Sequence, residues 1–245
     1  MSMRTSIIKS SGYEWLSPQE IGLLMSEPEP EMIIHNGRNR LWICRLRDKV
    51  FVVKHFRKSV KNMLLYRFGR SKAAKSWHNS TELTRRGINT PAPVAYVETR
   101  NAAGCLLDCL YICRYEPSES LCQAIEEYGN EAIENFAGFV SELHRKGIRH
   151  DDLNNTNVRV TKVDGEFVFS LIDLNRMMIY PADMAVPLNE CFKNVCRFCC
   201  LDNIFDTFIT AYLSKRQLPL SLKKTAVRFK KRHDRLYDLK KMFKL

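Results

Sequence analysis

His150-Asp151-Asp152-Leu153-Asn154-Asn155-Thr156-Asn157 is a stretch in which Leu153 is the single apolar residue. Its form is His-x-Asp-Leu-x-x-x-Asn. Asn and Asp favour turns because their short side chains bond to nearby backbone, so the stretch taken alone is compatible with a plain loop. Its neighbours narrow the reading. Upstream, Ile133, Phe136, Ala137, Val140, Leu143 and His144 recur at three- and four-residue steps, which predicts a helix ended by Gly147. Downstream, Val158-Arg159-Val160 and Phe167 to Ile172 flank Asp164-Gly165, which predicts a β-hairpin. Where that hairpin ends stands Asp173, in Leu171-Ile172-Asp173-Leu174-Asn175.

Residues 31 to 54 read as a strand meander: Met32 to His35, a turn at Asn36-Gly37, Arg40 to Leu46, a turn at Asp48-Lys49, and Val50 to Lys54. Lys54 closes the third strand. Residues 58 to 86 lack proline and carry Leu64, Leu65, Phe68, Ala73, Ala74, Trp77 and Leu83 at helical spacing, which predicts one helix stopped by Gly87, Pro91 and Pro93. Val94 to Glu98 and Leu106 to Arg114 follow as strands, and beyond residue 172 the pattern is mostly helical, punctuated by Pro181, Pro187 and Pro219. The order predicts an α+β chain of two lobes: 1–115, β-rich with one helix, and 116–245, mainly helical.

Of the 245 residues, 45% are hydrophobic and 27% charged, enough apolar surface for a large core. No stretch approaches the roughly 20 apolar residues of a spanning helix, and Met1 to Gly12 has no apolar block of signal-peptide length. Nine cysteines in a chain read as unexported predict reduced cytosolic thiols. The net charge of +12 is unevenly placed. Residues 38 to 75 hold thirteen Lys or Arg against Asp48, and residues 215 to 245 hold twelve against Asp234 and Asp238. Two basic blocks on an acidic remainder point to an anionic partner or to a solvated face.

The ordered set of a strand-end lysine, a loop with Asp and Asn, and an Asp after the next hairpin resembles the protein-kinase-like fold, over about residues 31 to 215. Within that superfamily the chain is similar to the lipopolysaccharide core kinases, which phosphorylate Kdo or heptose. Gly87-Ile88-Asn89-Thr90-Pro91-Ala92-Pro93, Leu143 to His150, the Asp152 loop and Ile172-Asp173-Leu174-Asn175-Arg176-Met177 carry that likeness. The resemblance implies a small β-rich N-lobe, a larger α-helical C-lobe, and ATP and Mg²⁺ as cofactors. Lys54 would touch the α- and β-phosphates, and Asn157 and Asp173 would give Mg²⁺ the hard oxygen ligands it prefers. Asp152 would accept the proton of the attacking hydroxyl, and His150 would brace the loop without moving protons. The implied acceptor is a free or lipid-linked sugar. The implied location is the cytoplasm, with the inner face of the cytoplasmic membrane as an anionic surface to meet.

The pattern departs from protein kinases at several places. The first hairpin has Gly37 alone where a glycine-rich loop is usual, and Arg38-Asn39-Arg40 is the stretch that could hold phosphates instead. Asn175 stands where protein kinases place Gly, and Asn tolerates left-handed backbone there. Asn154 stands where protein Ser/Thr kinases commonly have Lys, which disfavours a protein substrate. For the carboxylate that pairs with Lys54, Glu82 is the one acid between Lys54 and Gly87, and His78 one turn earlier competes for the place. Asp151 is out of register and reads as structural or substrate-facing, and Asp164 as a hairpin residue. Cys191, Cys196, Cys199 and Cys200 read as core rather than a metal site, since no second ligand pair accompanies them; His55 and His233 read as surface residues. Residues 221 to 245 read as a helix, with Leu222, Ala226, Phe229, Leu236, Leu239 and Phe243 at helical spacing and its other faces basic. It either packs on the larger lobe or lies on anionic headgroups. Three other readings stay open: a phosphotransferase for protein or another small molecule, a nucleotide-binding pseudokinase, and a basic nucleic-acid binder. The last lacks any recognised motif, so no specific nucleic acid is expected.

Overall fold

Six antiparallel strands form the sheet of the first half, in the order β1-β5-β6-β4-β3-β2. They are β1 (Met3–Lys9), β2 (Ile33–Asn36), β3 (Asn39–Leu46), β4 (Lys49–Phe56), β5 (Pro93–Asn101) and β6 (Leu106–Arg114). The computed structural model describes residues 3–57, 66–67, 69–198 and 200–242. It divides into two units, Met1–Glu116 and Pro117–Leu245.

In the first unit, alternation along β4 sends side chains to opposite faces of the sheet. Phe51 and Val53 are fully buried with Trp42, Val97, Leu110 and Ile112, under Leu16, Ile21 and Leu24 of helix α1 (Pro18–Met25) and the turn before it. The other face collects Phe56, Cys109 and Tyr111 with Ala73 of helix α2 (Lys72–Arg85). Lys54 belongs to this second face, opposite Leu41 and Tyr111 in register, with its Nζ 5.3 Å from the Phe56 ring centre.

Helix α1 precedes the meander and helix α2 follows it. Helix α1 opens on a capping box, in which Ser17 accepts from the Glu20 amide and Glu20 accepts from the Ser17 amide. Helix α2 is shorter than the span 58–86. Ser71 caps it, its Oγ accepting from the Ala74 amide at 3.0 Å, so the helix begins at Lys72. Residues 58–65 and Phe68 of that span lie outside the described residues.

In the second unit, helix α3 (Leu121–Tyr128) leads to α4 (Asn130–Arg145), followed by α5 (Leu188–Val195), α6 (Asp202–Lys215) and α7 (Lys223–Met242). Helix α4 buries Ile133, Phe136, Ala137, Val140 and Leu143. The Phe136 ring lies 5.2 Å from Phe198 and 5.4 Å from Phe208 of α6, edge-to-face or tilted as aromatic quadrupoles prefer. Gly147, at φ 68°, takes the left-handed turn that ends α4. The short strands of this unit are β7 (Glu119–Ser120), β8 (Ile148–His150), β9 (Val158–Val163), β10 (Glu166–Leu171) and β11 (Met177–Ile179). Strand β9 pairs with both β10 and β7, and β8 pairs with β11.

Candidate active site

The pairing of β8 with β11 decides what the second unit brings together. His150 lies opposite Met177, and Ile148 opposite Ile179. The loop that leaves β8 and the loop that enters β11 therefore start side by side, although the β9–β10 hairpin separates them in the chain. Backbone bonds close the arrangement: Asp151 N donates to Arg176 O at 2.8 Å, and Ile172 N donates to Asn157 O at 3.0 Å. Each loop is anchored by one apolar side chain, Leu153 (0% exposed) and Leu174 (3%). Their neighbours Asp152 and Asp173 remain half-buried. A buried leucine beside a half-exposed carboxylate fixes the backbone without removing the acid from solvent.

His150 is fully buried and joins the two loops. Its Nε2–H donates to the Ile172 carbonyl at 3.0 Å, and its Nδ1 accepts from the Asp152 amide at 3.2 Å. Both ring nitrogens are thus used in the neutral form. Burial holds its pKa below the ordinary histidine value. Asn157 is 8% exposed, and its Nδ2 donates to the Asp152 carbonyl at 2.8 Å. That bond uses the donor end of the amide, so Oδ1 is the end that can offer an oxygen ligand. Asp173 sits at φ 57°, a left-handed backbone that a non-glycine residue adopts at a cost. The expectation placed the left-handed residue at Asn175. The structure moves it two residues back, and Asn175 instead donates its Nδ2 to Asp173 Oδ1. The bond orients the carboxylate that the strained backbone presents.

Asp151, adjacent to Asp152, is taken by Arg149, whose Nε reaches Asp151 Oδ1 at 2.6 Å and whose Nη1 pairs with Glu190 of α5. Behind the loop lies a polar relay that the sequence reading did not identify as functional. The Tyr212 hydroxyl donates to His144 Nδ1 at 2.7 Å, His144 Nε2–H donates to Asn194 Oδ1 at 2.9 Å, and Asn194 Nδ2 donates to the His150 carbonyl at 2.6 Å. His144 and Asn194 are 0% and 1% exposed. The signal available in the sequence was a histidine and an asparagine on otherwise apolar helix faces, where an unpaired polar group would be costly.

In the first unit, Gly37 forms the β2–β3 turn, its amide donating to Asn39 O at 3.1 Å, and a side chain there would meet the His35 ring at 2.6 Å. Glu82 closes the last turn of α2. Its carboxylate accepts from Arg85 Nε and Nη2 and from Arg86 Nε, each at 2.7 Å. The hydrogen bond from Arg85, with Arg86 adding to it, holds the Glu82 pKa at about 2 against the cost of partial burial. His78 is pushed below its ordinary value by burial and by the Arg70 charge. His55 is half-buried and pairs with Asp108 at 2.6 Å. Cys191 and Cys196 are buried, each bonded through Sγ to a backbone carbonyl; Cys199 lies outside the described residues.

Among the described residues, no three His, Cys, Asp or Glu side chains gather to hold a metal. The donor set of Asn157 and Asp173, one amide oxygen and one carboxylate, fits Mg²⁺. That ion takes few protein ligands and completes its shell with water and phosphate oxygens.

The sequence profile described as the lipopolysaccharide kinase (Kdo/WaaP) family matches residues 31–179. A 3-deoxy-D-manno-octulosonic acid kinase of Vibrio vulnificus (strain YJ016) is 22% identical over 178 residues, covering 66% of this chain and 73% of that protein. The solved structure of WaaP in complex with acyl carrier protein is 18% identical, with a TM-score of 0.62 over 95% of this chain and 99% of that one. The Rio2 kinase–ADP/Mg²⁺–phosphoaspartate complex of Chaetomium thermophilum is 14% identical, with a TM-score of 0.49 over 82% and 70%. The fold is thus protein-kinase-like, a β-sheet N-terminal part followed by a helical C-terminal part. With the profile covering more than half of its length, the chain belongs to the lipopolysaccharide kinase (Kdo/WaaP) family and is a phosphotransferase with an alcohol group as acceptor.

Proposed function

We propose that the chain transfers the γ-phosphoryl group of ATP to a hydroxyl of Kdo or heptose in the lipopolysaccharide inner core. The observation that carries this reading is the junction of the Asp152 and Asp173 loops through His150 and the Ile172–Asn157 backbone bond. Asp152 takes the proton of the acceptor hydroxyl. Asn157 and Asp173 would hold Mg²⁺, which neutralises charge on the phosphates when bound. Lys54 on β4 serves as the phosphate-binding lysine. Glu82 would have to give up Arg85 and Arg86 before pairing with it. Purified protein given ATP, Mg²⁺ and deacylated core oligosaccharide is expected to yield ADP and a phosphomonoester on Kdo or heptose, located by mass spectrometry and ³¹P NMR. Nucleotide binding without turnover on either acceptor would refute the reading.

The acceptor is met at an anionic bilayer through α7. No helix among the described residues is long and apolar enough to cross a membrane. The first half of α7 packs inward through Ala226, Phe229 against Phe192, and Lys230, which is 4% exposed and paired with Asp234. From Arg235 to Met242 every residue is exposed, including Leu236, Leu239 and Met242. On a helical wheel Leu236 and Leu239 share one face, flanked by Arg235 and Lys240 and headed one turn earlier by Arg232, while Asp234 and Asp238 face away. An apolar stripe bordered by cations suits a headgroup interface. Vesicles rich in phosphatidylglycerol are expected to sediment the protein at low salt and phosphatidylcholine vesicles to leave it in solution. The double variant Leu236→Glu, Leu239→Glu is expected to remain soluble with both.

A further inference from the structure

Asn154 bonds within the loop through both ends of its side-chain amide. Its Oδ1 accepts from the Thr156 amide at 3.0 Å, the Thr156 hydroxyl at 2.7 Å and the Asn157 amide at 3.2 Å. Its Nδ2 donates to Asp152 Oδ1 at 3.2 Å. The loop closes back on Asp152 as well, whose carbonyl accepts from the Asn154 amide at 2.9 Å and from Asn157 Nδ2 at 2.8 Å.

We propose that Asn154 is a positioning residue for phosphoryl transfer: its acceptor end closes the turn that carries Asn157, and its donor end occupies Oδ1 of Asp152, leaving Oδ2 to receive the acceptor proton. The inference rests on the reading of Asp152 as the base. In the step it serves, the acceptor O–H bond breaks as the new O–P bond forms, the bond from phosphorus to the β-phosphate oxygen breaks, ADP leaves with its electron pair, and the proton passes to Asp152 Oδ2. Only an amide meets both demands at this length. Aspartate would satisfy the three donors at Oδ1 and repel Asp152. Lysine would offer a charge to Asp152 and accept nothing from Thr156 or Asn157. The asparagine therefore has its own reason to stand where protein Ser/Thr kinases commonly have lysine.

The test compares Asn154→Asp with Asn154→Ala in the full chain. Asn154→Asp is expected to keep the hydrogen-exchange protection of the Thr156 and Asn157 amides and the KM for ATP within twofold, while kcat falls about 100-fold, the scale on which misplacement of a reacting group acts. Asn154→Ala is expected to lose the Thr156 amide protection as well, while the Asn157 amide keeps its bond to the backbone carbonyl of residue 154 at 3.1 Å. In an Asp152→Asn background, Asn154→Asp should cost little more. A crystal structure of Asn154→Asp should show the Asp152 carboxylate turned away from residue 154. Wild-type kcat in Asn154→Asp, loss of amide protection there, or an undiminished loss in the Asp152→Asn background would each overturn the proposal. If the wild-type chain phosphorylates no sugar, the reaction assignment fails instead, and the orientation of Asp152 in the Asn154→Asp crystal still decides this inference.

Discussion

Replacing Asp152 by Asn is expected to lower kcat for sugar phosphorylation about 1,000-fold, within the range assigned to a positioned general base, while leaving the affinity for Mg–ATP within about twofold. The substitution is nearly isosteric. The Asp152 amide would still donate to His150 Nδ1, its carbonyl would still hold Asn157 Nδ2, and the new side-chain oxygen could still accept from Asn154. What disappears is the capacity to take a proton. Asp173→Ala is expected to behave differently. Removing that carboxylate takes away one of the two proposed oxygen ligands, so Mg–ATP affinity falls together with kcat. It also relieves the left-handed backbone no further than alanine allows, since φ 57° is unfavourable for any side chain. Calorimetric titration of nucleotide alongside steady-state kinetics separates the two cases. An Asp152→Asn enzyme that keeps more than a tenth of wild-type kcat would remove Asp152 from the role of base.

Much of the fold is legible in the sequence, and the reasons differ from element to element. The helix at α4 announced itself because one face is continuously apolar and Gly147 ends it. The hairpins β3–β4 and β9–β10 did so through short turns between β-branched and aromatic runs. Strand β1 did not: Met3 to Ser6 are all exposed at the sheet edge, so no alternation marks the strand and its place comes from pairing with β5. The start of α2 is not marked by spacing, since apolar residues recur at helical steps across residues 58 to 86; the signal that does mark it is Ser71, a good cap. In the loop, the spacing of Asp152, Asn157 and Asp173 is what points to the roles proposed for them. The relay behind it was hidden because Tyr212, His144 and Asn194 are far apart in the chain and each reads locally as one polar residue in an apolar stripe. Only the packing of α4, α5 and α6 makes them consecutive.

That relay gives the second large expected effect, an acid loss of stability. Burial, with smaller contributions from the Arg216 and Arg149 charges and opposed by the Asn194 hydrogen bond, lowers the His144 pKa to about 4. The unfolded chain titrates near the ordinary value of about 6.5. Above that pH both states are neutral at His144, and the full stabilisation is present. As pH falls from about 6.5 towards 4, the unfolded state binds a proton that the folded state refuses, so stability declines with pH. The total over that window is about 3 kcal/mol, a large share of the 5–15 kcal/mol typical of a domain. His150 is depressed in the same direction and adds to the slope. Urea unfolding midpoints are therefore expected to drop steeply between pH 7 and pH 4.5. His144→Gln, which can still donate to Asn194, should flatten that dependence by removing one titrating group. Asn194→Leu should lower stability at pH 7 by about 2 kcal/mol, because it leaves the His144 Nε2–H buried without a partner and takes one donor from the His150 carbonyl, which keeps the Leu153 amide. Coincident pH profiles for the wild type and His144→Gln would mean that the relay does not sense protons, and that the acid sensitivity of the fold lies in other groups.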